Sequence, residues 1–169
     1  MQLYLMRHAI AHELGADGSR TDAGRTLTTE GRANTRAAAQ AMRRLELDFD
    51  AIWTSPLVRA RQTAEIVAEV LKKNHCLQEV PELAPGASPE RIVKALARLD
   101  HGSSVLLVGH EPDLSRLVAF LVWGSLEADR LDFKKGALCR LDGEFGLGGG
   151  KATLRWFLTP KQLRLLAAT

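Results

Sequence analysis

Ser104-Val-Leu-Leu-Val108, followed at once by Gly109-His110-Glu111-Pro112, decides the architecture. The run is short and apolar without alternation, the mark of a strand buried on both faces, and such strands belong to parallel sheets covered by helices on either side. An apolar helix follows, from Asp113 to about Trp123. The same alternation runs upstream. Residues 2–6 (QLYLM) read as a strand ending at Arg7-His8, and residues 9–28 as a long polar loop. Residues from Thr28 to about Leu45 read as a helix, and Asp50–Thr54 as a second strand. Ser55 and Pro56 carry the signature of an N-cap and first helical residue, opening a helix to about Lys73. Residues 76–80 predict a short third strand, and Ser88-Pro89 repeats the cap signal before a helix to about Leu99.

The tail differs. Ala137–Asp142 and Lys151–Leu158 predict a hairpin with a flexible tip at GEFGLGGG, and Pro160–Ala168 predicts a last helix. The order implies an α/β fold: a three-layer α/β/α sandwich with a mostly parallel central sheet and a C-terminal antiparallel hairpin. With 169 residues the expectation is a single domain over 1–169, with no repeat and no linker.

Composition narrows the function. Hydrophobic residues make up 46% and charged residues 25%, ordinary for a globular chain. No apolar run spans a bilayer, and the N-terminus lacks the pattern of a signal peptide, so a cytoplasmic protein without membrane partners is expected. The net charge is +3, and 16 of the 23 cations are arginine, the cation suited to forked binding of phosphate. No basic run interleaved with aromatics points to nucleic acid. Cys76 and Cys139 lack CxxC spacing and read as buried thiols, neither a disulfide framework nor a zinc site.

Ligands of such sheets bind beyond the carboxyl ends of the strands. Arg7-His8 ends the first strand, Ser55-Pro56 with Arg59 one turn on ends the second, and Gly109-His110 ends the fourth; the long loop adds Arg25. Two histidines and three arginines are thus expected to converge on one edge, and those arginines equal the whole net charge. The chemistry that fits is phosphoryl transfer. A neutral imidazole is a nucleophile near pH 7, adjacent cations keep it neutral, and arginines hold the equatorial oxygens. Arg61, Arg36, Arg43 and Arg44 read as solvated helix faces. His8 and His12 have the spacing of zinc ligands, but a strand ends at His8. Gly146–Lys151 lacks the first glycine of a phosphate loop, since Phe145 stands there. No metal and no cofactor are therefore expected.

Arg7-His8, Ser55-Pro-Leu-Val-Arg59-Ala-Arg-Gln-Thr-Ala64 and Val108-Gly-His110-Glu-Pro112, in this order, resemble the histidine phosphatase (phosphoglycerate mutase-like) superfamily. The short chain, Arg25-Thr-Leu-Thr-Thr-Glu-Gly31 and Pro81-Glu-Leu-Ala-Pro-Gly86 make it most similar to the SixA-type phosphohistidine phosphatases. The resemblance runs from residue 2 to about residue 120. It implies that His8 is the nucleophile, that Arg7, Arg59 and His110 hold the phosphoryl group, and that Arg25 is a further arginine on the substrate side. Two departures stand out. Ala9 replaces the usual glycine after the histidine. Glu82 does not align cleanly with the proton-donating carboxylate of the mutases and acid phosphatases. An alkoxide needs such an acid, whereas imidazole leaves readily without one.

The reading is therefore a phosphohistidine phosphatase working through phospho-His8 on a phosphorylated protein or a small phosphorylated substrate. A phosphomonoesterase using Glu82 or another carboxylate as acid, and a non-catalytic phosphate-binding module, stay open. A monomer is the working expectation.

Overall fold

The computed structural model describes residues 1–127, 131–145 and 149–168. Its strands are β1 (Gln2–Arg7), β2 (Ala51–Thr54), β3 (Leu77–Glu79), β4 (Ser104–Gly109), β5 (Leu138–Gly143) and β6 (Ala152–Leu158). Its helices are α1 (Thr29–Arg44), α2 (Val58–Leu71), α3 (Pro89–Leu96), α4 (Asp113–Trp123) and α5 (Pro160–Ala168). The strands form one sheet in the order β3-β2-β4-β1-β5-β6. Its first four strands are parallel, and β5 and β6 add an antiparallel hairpin edge. This is the predicted sandwich.

The period-two geometry of a strand divides the core. Leu3, Leu5, Val105 and Leu107 pack beneath α3 and α4, through Ile92, Leu96, Leu114 and Leu117. Tyr4, Met6, Leu106 and Val108 face the other way, onto Ala39 and Met42 of α1, Ala64 and Val67 of α2, and Leu163 of α5. Alanines at these α1 and α2 positions let both helices lie close to the sheet.

The register levels the strand ends. Arg7 pairs with Gly109, and Thr54 pairs with Val108. The ladder runs one residue further on each side, because the His8 amide donates to the Gly109 carbonyl (3.0 Å) and the Ser55 amide to the Val108 carbonyl (3.0 Å). His8, Ser55 and His110 consequently leave the sheet at one height.

Several local expectations need correction. Helix α2 begins at Val58 with Leu57 as its N-cap and no side-chain cap bond, so Ser55 and Pro56 lie outside it. Ser88 does precede α3, yet makes no capping hydrogen bond, and that helix ends at Leu96. Thr28 does cap α1, its hydroxyl accepting from the Gly31 amide (2.9 Å). The long loop is not featureless: Asp22–Gly24 form a 3-10 turn, and Ala11 bridges to Leu27. The expected flexible tip falls partly on residues 146–148, outside the described residues. Among the described residues, no helix is long and apolar enough to cross a membrane.

Candidate active site

The level strand ends open into a cleft of about 410 Å³ lined by Arg7, His8, Arg25, Arg59 and His110, with Glu13, Asp22, Pro85, Glu111 and Lys135 around them. All five residues singled out by sequence are thus brought together, by four routes, with Arg7 as the last residue of β1. His8 and His110 follow the ends of β1 and β4, Arg59 projects from the first turn of α2, and Arg25 comes from the long loop.

His8 is 6% exposed, and its ring is fixed by a hydrogen bond from Nδ1 to the Ala9 carbonyl (2.7 Å). A carbonyl only accepts, so Nδ1 carries the proton and the lone pair of the neutral ring resides on Nε2. Arg59 donates Nε–H to that nitrogen at 3.2 Å. Burial pushes His8 down to about 3, with the backbone bond opposing this and the neighbouring His110, Arg59 and Arg7 adding to it. Burial also lowers His110 to about 4, helped by Arg59 and Arg7 and opposed by Asp22. Both imidazoles are neutral at pH 7, with ring centroids 5.1 Å apart.

Arg7 is anchored by donation from Nη1 to the Phe133 carbonyl (2.9 Å). Its Nε–H and His110 Nδ1 are buried and have no partner within the described residues, which leaves both for a ligand. His110 Nε2 lies 2.8 Å from Ser55 Oγ, so the hydroxyl, which also accepts from the Leu57 amide (3.3 Å), orients the second histidine. Thr63, fully buried, donates to the Arg59 carbonyl (2.7 Å) and accepts from the Ala9 amide (3.1 Å), tying the nucleophile's loop to the arginine's helix. Gln62 performs the same service for the long loop, accepting from the Leu27 amide (2.8 Å). Thr63 was missed, and the signal that could have found it is its place one helical turn beyond Arg59; Ser55 carried no signal beyond that of a cap.

Asp22 is the residue that sequence reasoning missed most clearly. Its Oδ1 meets Arg25 Nη1 at 2.8 Å and its Oδ2 meets Arg59 Nη2 at 3.0 Å, holding two site arginines with one carboxylate. Glu82 sits elsewhere, in a separate groove with Arg91, Lys94 and Arg98. The carboxylates that do line the cleft are Glu13, Asp22 and Glu111. Glu111 is half-buried, which raises its pKa, but both its oxygens accept from Ser115, at 3.2 Å from the amide and 2.6 Å from the hydroxyl. Among the described residues, no group of three His, Cys, Asp or Glu side chains is placed to hold a metal ion. Arg61 stands away from the cleft, paired with Glu65 and Glu79 on the surface. The arrangement can therefore bind an oxyanion on arginines while offering a neutral nitrogen nucleophile to its central atom.

The model of the histidine phosphatase superfamily (branch 1) matches residues 3–85. An uncharacterised protein of Picosynechococcus sp. PCC 7002 is 38% identical over 157 residues, covering 92% of this chain and 89% of the relative. The phosphohistidine phosphatase SixA of Escherichia coli K12 is 28% identical over 170 residues, covering 99% of both chains. The structure of the protein histidine phosphatase SixA complexed with tungstate superposes with a TM-score of 0.84 at 29% identity, over 96% of this chain and 99% of that one.

Proposed function

The chain belongs to the histidine phosphatase superfamily, and we propose that it is a phosphohistidine phosphatase that strips phosphate from a histidine-phosphorylated protein through a phospho-His8 intermediate. The observation that carries this reading is the tautomer of His8: Nδ1 is committed to the Ala9 carbonyl, and Nε2 presents its lone pair toward the arginine cluster.

Attack of Nε2 on phosphorus forms the Nε2–P bond as the P–N bond of the substrate breaks. Arg7, Arg59 and His110 hold the equatorial oxygens, with Arg25 on the substrate side. The substrate imidazole, protonated on its distal nitrogen, departs as a neutral ring. Water then attacks phosphorus, the Nε2–P bond breaks, and inorganic phosphate leaves. Neither step calls for a dedicated acid. Glu82, the nearest sequence match to one, lines a different groove, which supports a nitrogen leaving group over an alkoxide. The likeness to SixA supports the same substrate class, and its tungstate complex fits a site built for an oxyanion. We place the activity in the cytoplasm, in keeping with two free thiols. The proposed chemistry takes its positive charge from arginine, so activity is expected to survive prolonged chelation.

A phosphomonoesterase reading is favoured by one observation, the presence of Glu13 and Glu111 in the cleft. The two are separated by assaying a phosphohistidine protein, free phosphohistidine, p-nitrophenyl phosphate and alkyl phosphates side by side, with rapid quench to trap an acid-labile phosphoryl group. Label on His8, lost in His8→Ala together with turnover, and a rate on phosphohistidine far above that on alkyl esters are the expected results. Equal rates on alkyl esters would replace the proposal with the monoesterase, and binding without turnover would replace it with a phosphate-binding module.

A further inference from the structure

We propose that Asp22 is a positioning residue that locks the phosphate-facing edge of Arg59 onto His8 and binds Arg25 to the same fork; the inference rests on the phosphatase reading above. A guanidinium offers five N–H groups in one plane: an end fork made by Nη1 and Nη2, and a side edge made by Nε and the second hydrogen of Nη2. In Arg59, Nη1 donates to the Asp22 main-chain carbonyl at 2.7 Å and Nη2 to its Oδ2 at 3.0 Å, so one residue takes the end fork with two acceptors. The side edge is thereby turned to His8, where Nε donates to Nε2 at 3.2 Å. A phosphoryl group on Nε2 would meet that edge, with Nε–H and the remaining Nη2–H spaced for two of its oxygens.

The other carboxylate oxygen of Asp22 takes Arg25 Nη1 at 2.8 Å, while Arg25 Nε donates to the His12 carbonyl at 2.6 Å. One carboxylate thus couples the loop arginine to the helix arginine, which lie far apart in the chain. The 3-10 turn that carries it is held in turn by Thr21, whose hydroxyl accepts from the Gly24 amide. The Asp22 side chain is 59% exposed, so its ion pairs contribute little to folding, and its effect should fall on the geometry of the site.

The test compares wild type, Asp22→Ala, Asp22→Asn and Asp22→Glu by calorimetric binding of orthovanadate, by kcat and KM on p-nitrophenyl phosphate, and by Tm. A misaligned guanidinium should lower kcat by about 10- to 100-fold in Asp22→Ala and Asp22→Asn, with KM changed far less and Tm nearly constant. Vanadate affinity should fall roughly tenfold, and Asp22→Glu should recover part of both losses. Vanadate binding that tightens in Asp22→Asn would show Asp22 to be only a counter-charge screening the site, and would overturn the proposal. So would an unchanged kcat in Asp22→Ala. In either case wild-type turnover leaves the phosphatase reading standing, whereas a wild type that neither binds vanadate nor turns over any phosphate overturns both.

Discussion

Arg59 Nε donates to His8 Nε2 at 3.2 Å, across 51 residues of sequence, and both side chains are buried. A cation placed on the lone pair of a buried imidazole does two things at once. It opposes protonation of the ring, and it marks the position where a phosphoryl oxygen would next be held. The pair is assembled by the sheet register, which sets the end of β1 beside the start of α2, and by Thr63, which hydrogen-bonds to the backbone on both sides.

The Arg59 fork is the first thing to break. Lysine keeps the charge but has neither the side edge nor the end fork, so Arg59→Lys should lower kcat/KM by roughly 100-fold or more. Arg61→Lys, two residues on and 41% exposed, should stay within about twofold, since exposed ion pairs matter little. Steady-state rates on p-nitrophenyl phosphate decide between them, and equal losses would mean that the wrong arginine has been placed on the phosphate.

Glu82→Gln should leave phosphohistidine hydrolysis nearly intact, because Glu82 lines a groove with Arg91, Lys94 and Arg98 away from His8. Across a series of aryl and alkyl phosphates the wild-type rate should fall steeply as the leaving-group pKa rises. A flat series would require an acid in the cleft, and Glu111 and Glu13 would be the residues to replace next.

Stability should decline on mild acidification. His8 and His110 are held near 3 and 4, against about 6.5 when unfolded. Between these limits the unfolded chain binds protons that the folded chain does not, so stability drops as pH falls from 6.5 toward 4, by up to about 1.4 kcal/mol per histidine per pH unit. Glu111, raised by burial, works in the opposite sense just above its ordinary value of 4.5. Asp17 and Asp22 are held low by hydrogen bonds and lose their contribution only below their ordinary 3.8. Urea midpoints measured from pH 7.5 to 4.5 should show the decline, and His8→Asn with His110→Asn should flatten it.

Gly31→Ala should cost about 1–3 kcal/mol by overpacking. A Cβ at Gly31 would run into the Ile10 carbonyl oxygen, the same atom that accepts from the Thr28 amide at 3.0 Å. Alanine returns at most about 1 kcal/mol of helix propensity, too little to offset the clash. Because the displaced loop carries Asp22 and Arg25, activity should fall together with the urea midpoint; a neutral substitution would show that the loop yields freely.

Local patterns reach the site unevenly. Thr28 caps α1 by a purely local bond, its hydroxyl accepting from the Gly31 amide three residues on. Ser55 carried a cap signal, and its hydroxyl both accepts from the Leu57 amide (3.3 Å) and lies against His110, 55 residues away. A cap motif states what a hydroxyl can do locally, and a buried imidazole across the sheet offered it another partner. Asp22 gave no signal at all, since an acidic residue in a polar loop looks like any solvated one.

Chain order alone settled the α/β sandwich and pointed to Arg7, His8, Arg59 and His110 of the cleft, with Arg25 added from the long loop: apolar runs alternating with helical periodicity force a covered parallel sheet, and polar residues just past strand ends have only one edge to occupy. Tertiary structure alone decided which nitrogen of His8 is free, what orients His110, and why Glu82 is remote. Those depend on hydrogen bonds between segments that meet only when the strands are in register, and nothing local to any one segment encodes its partner.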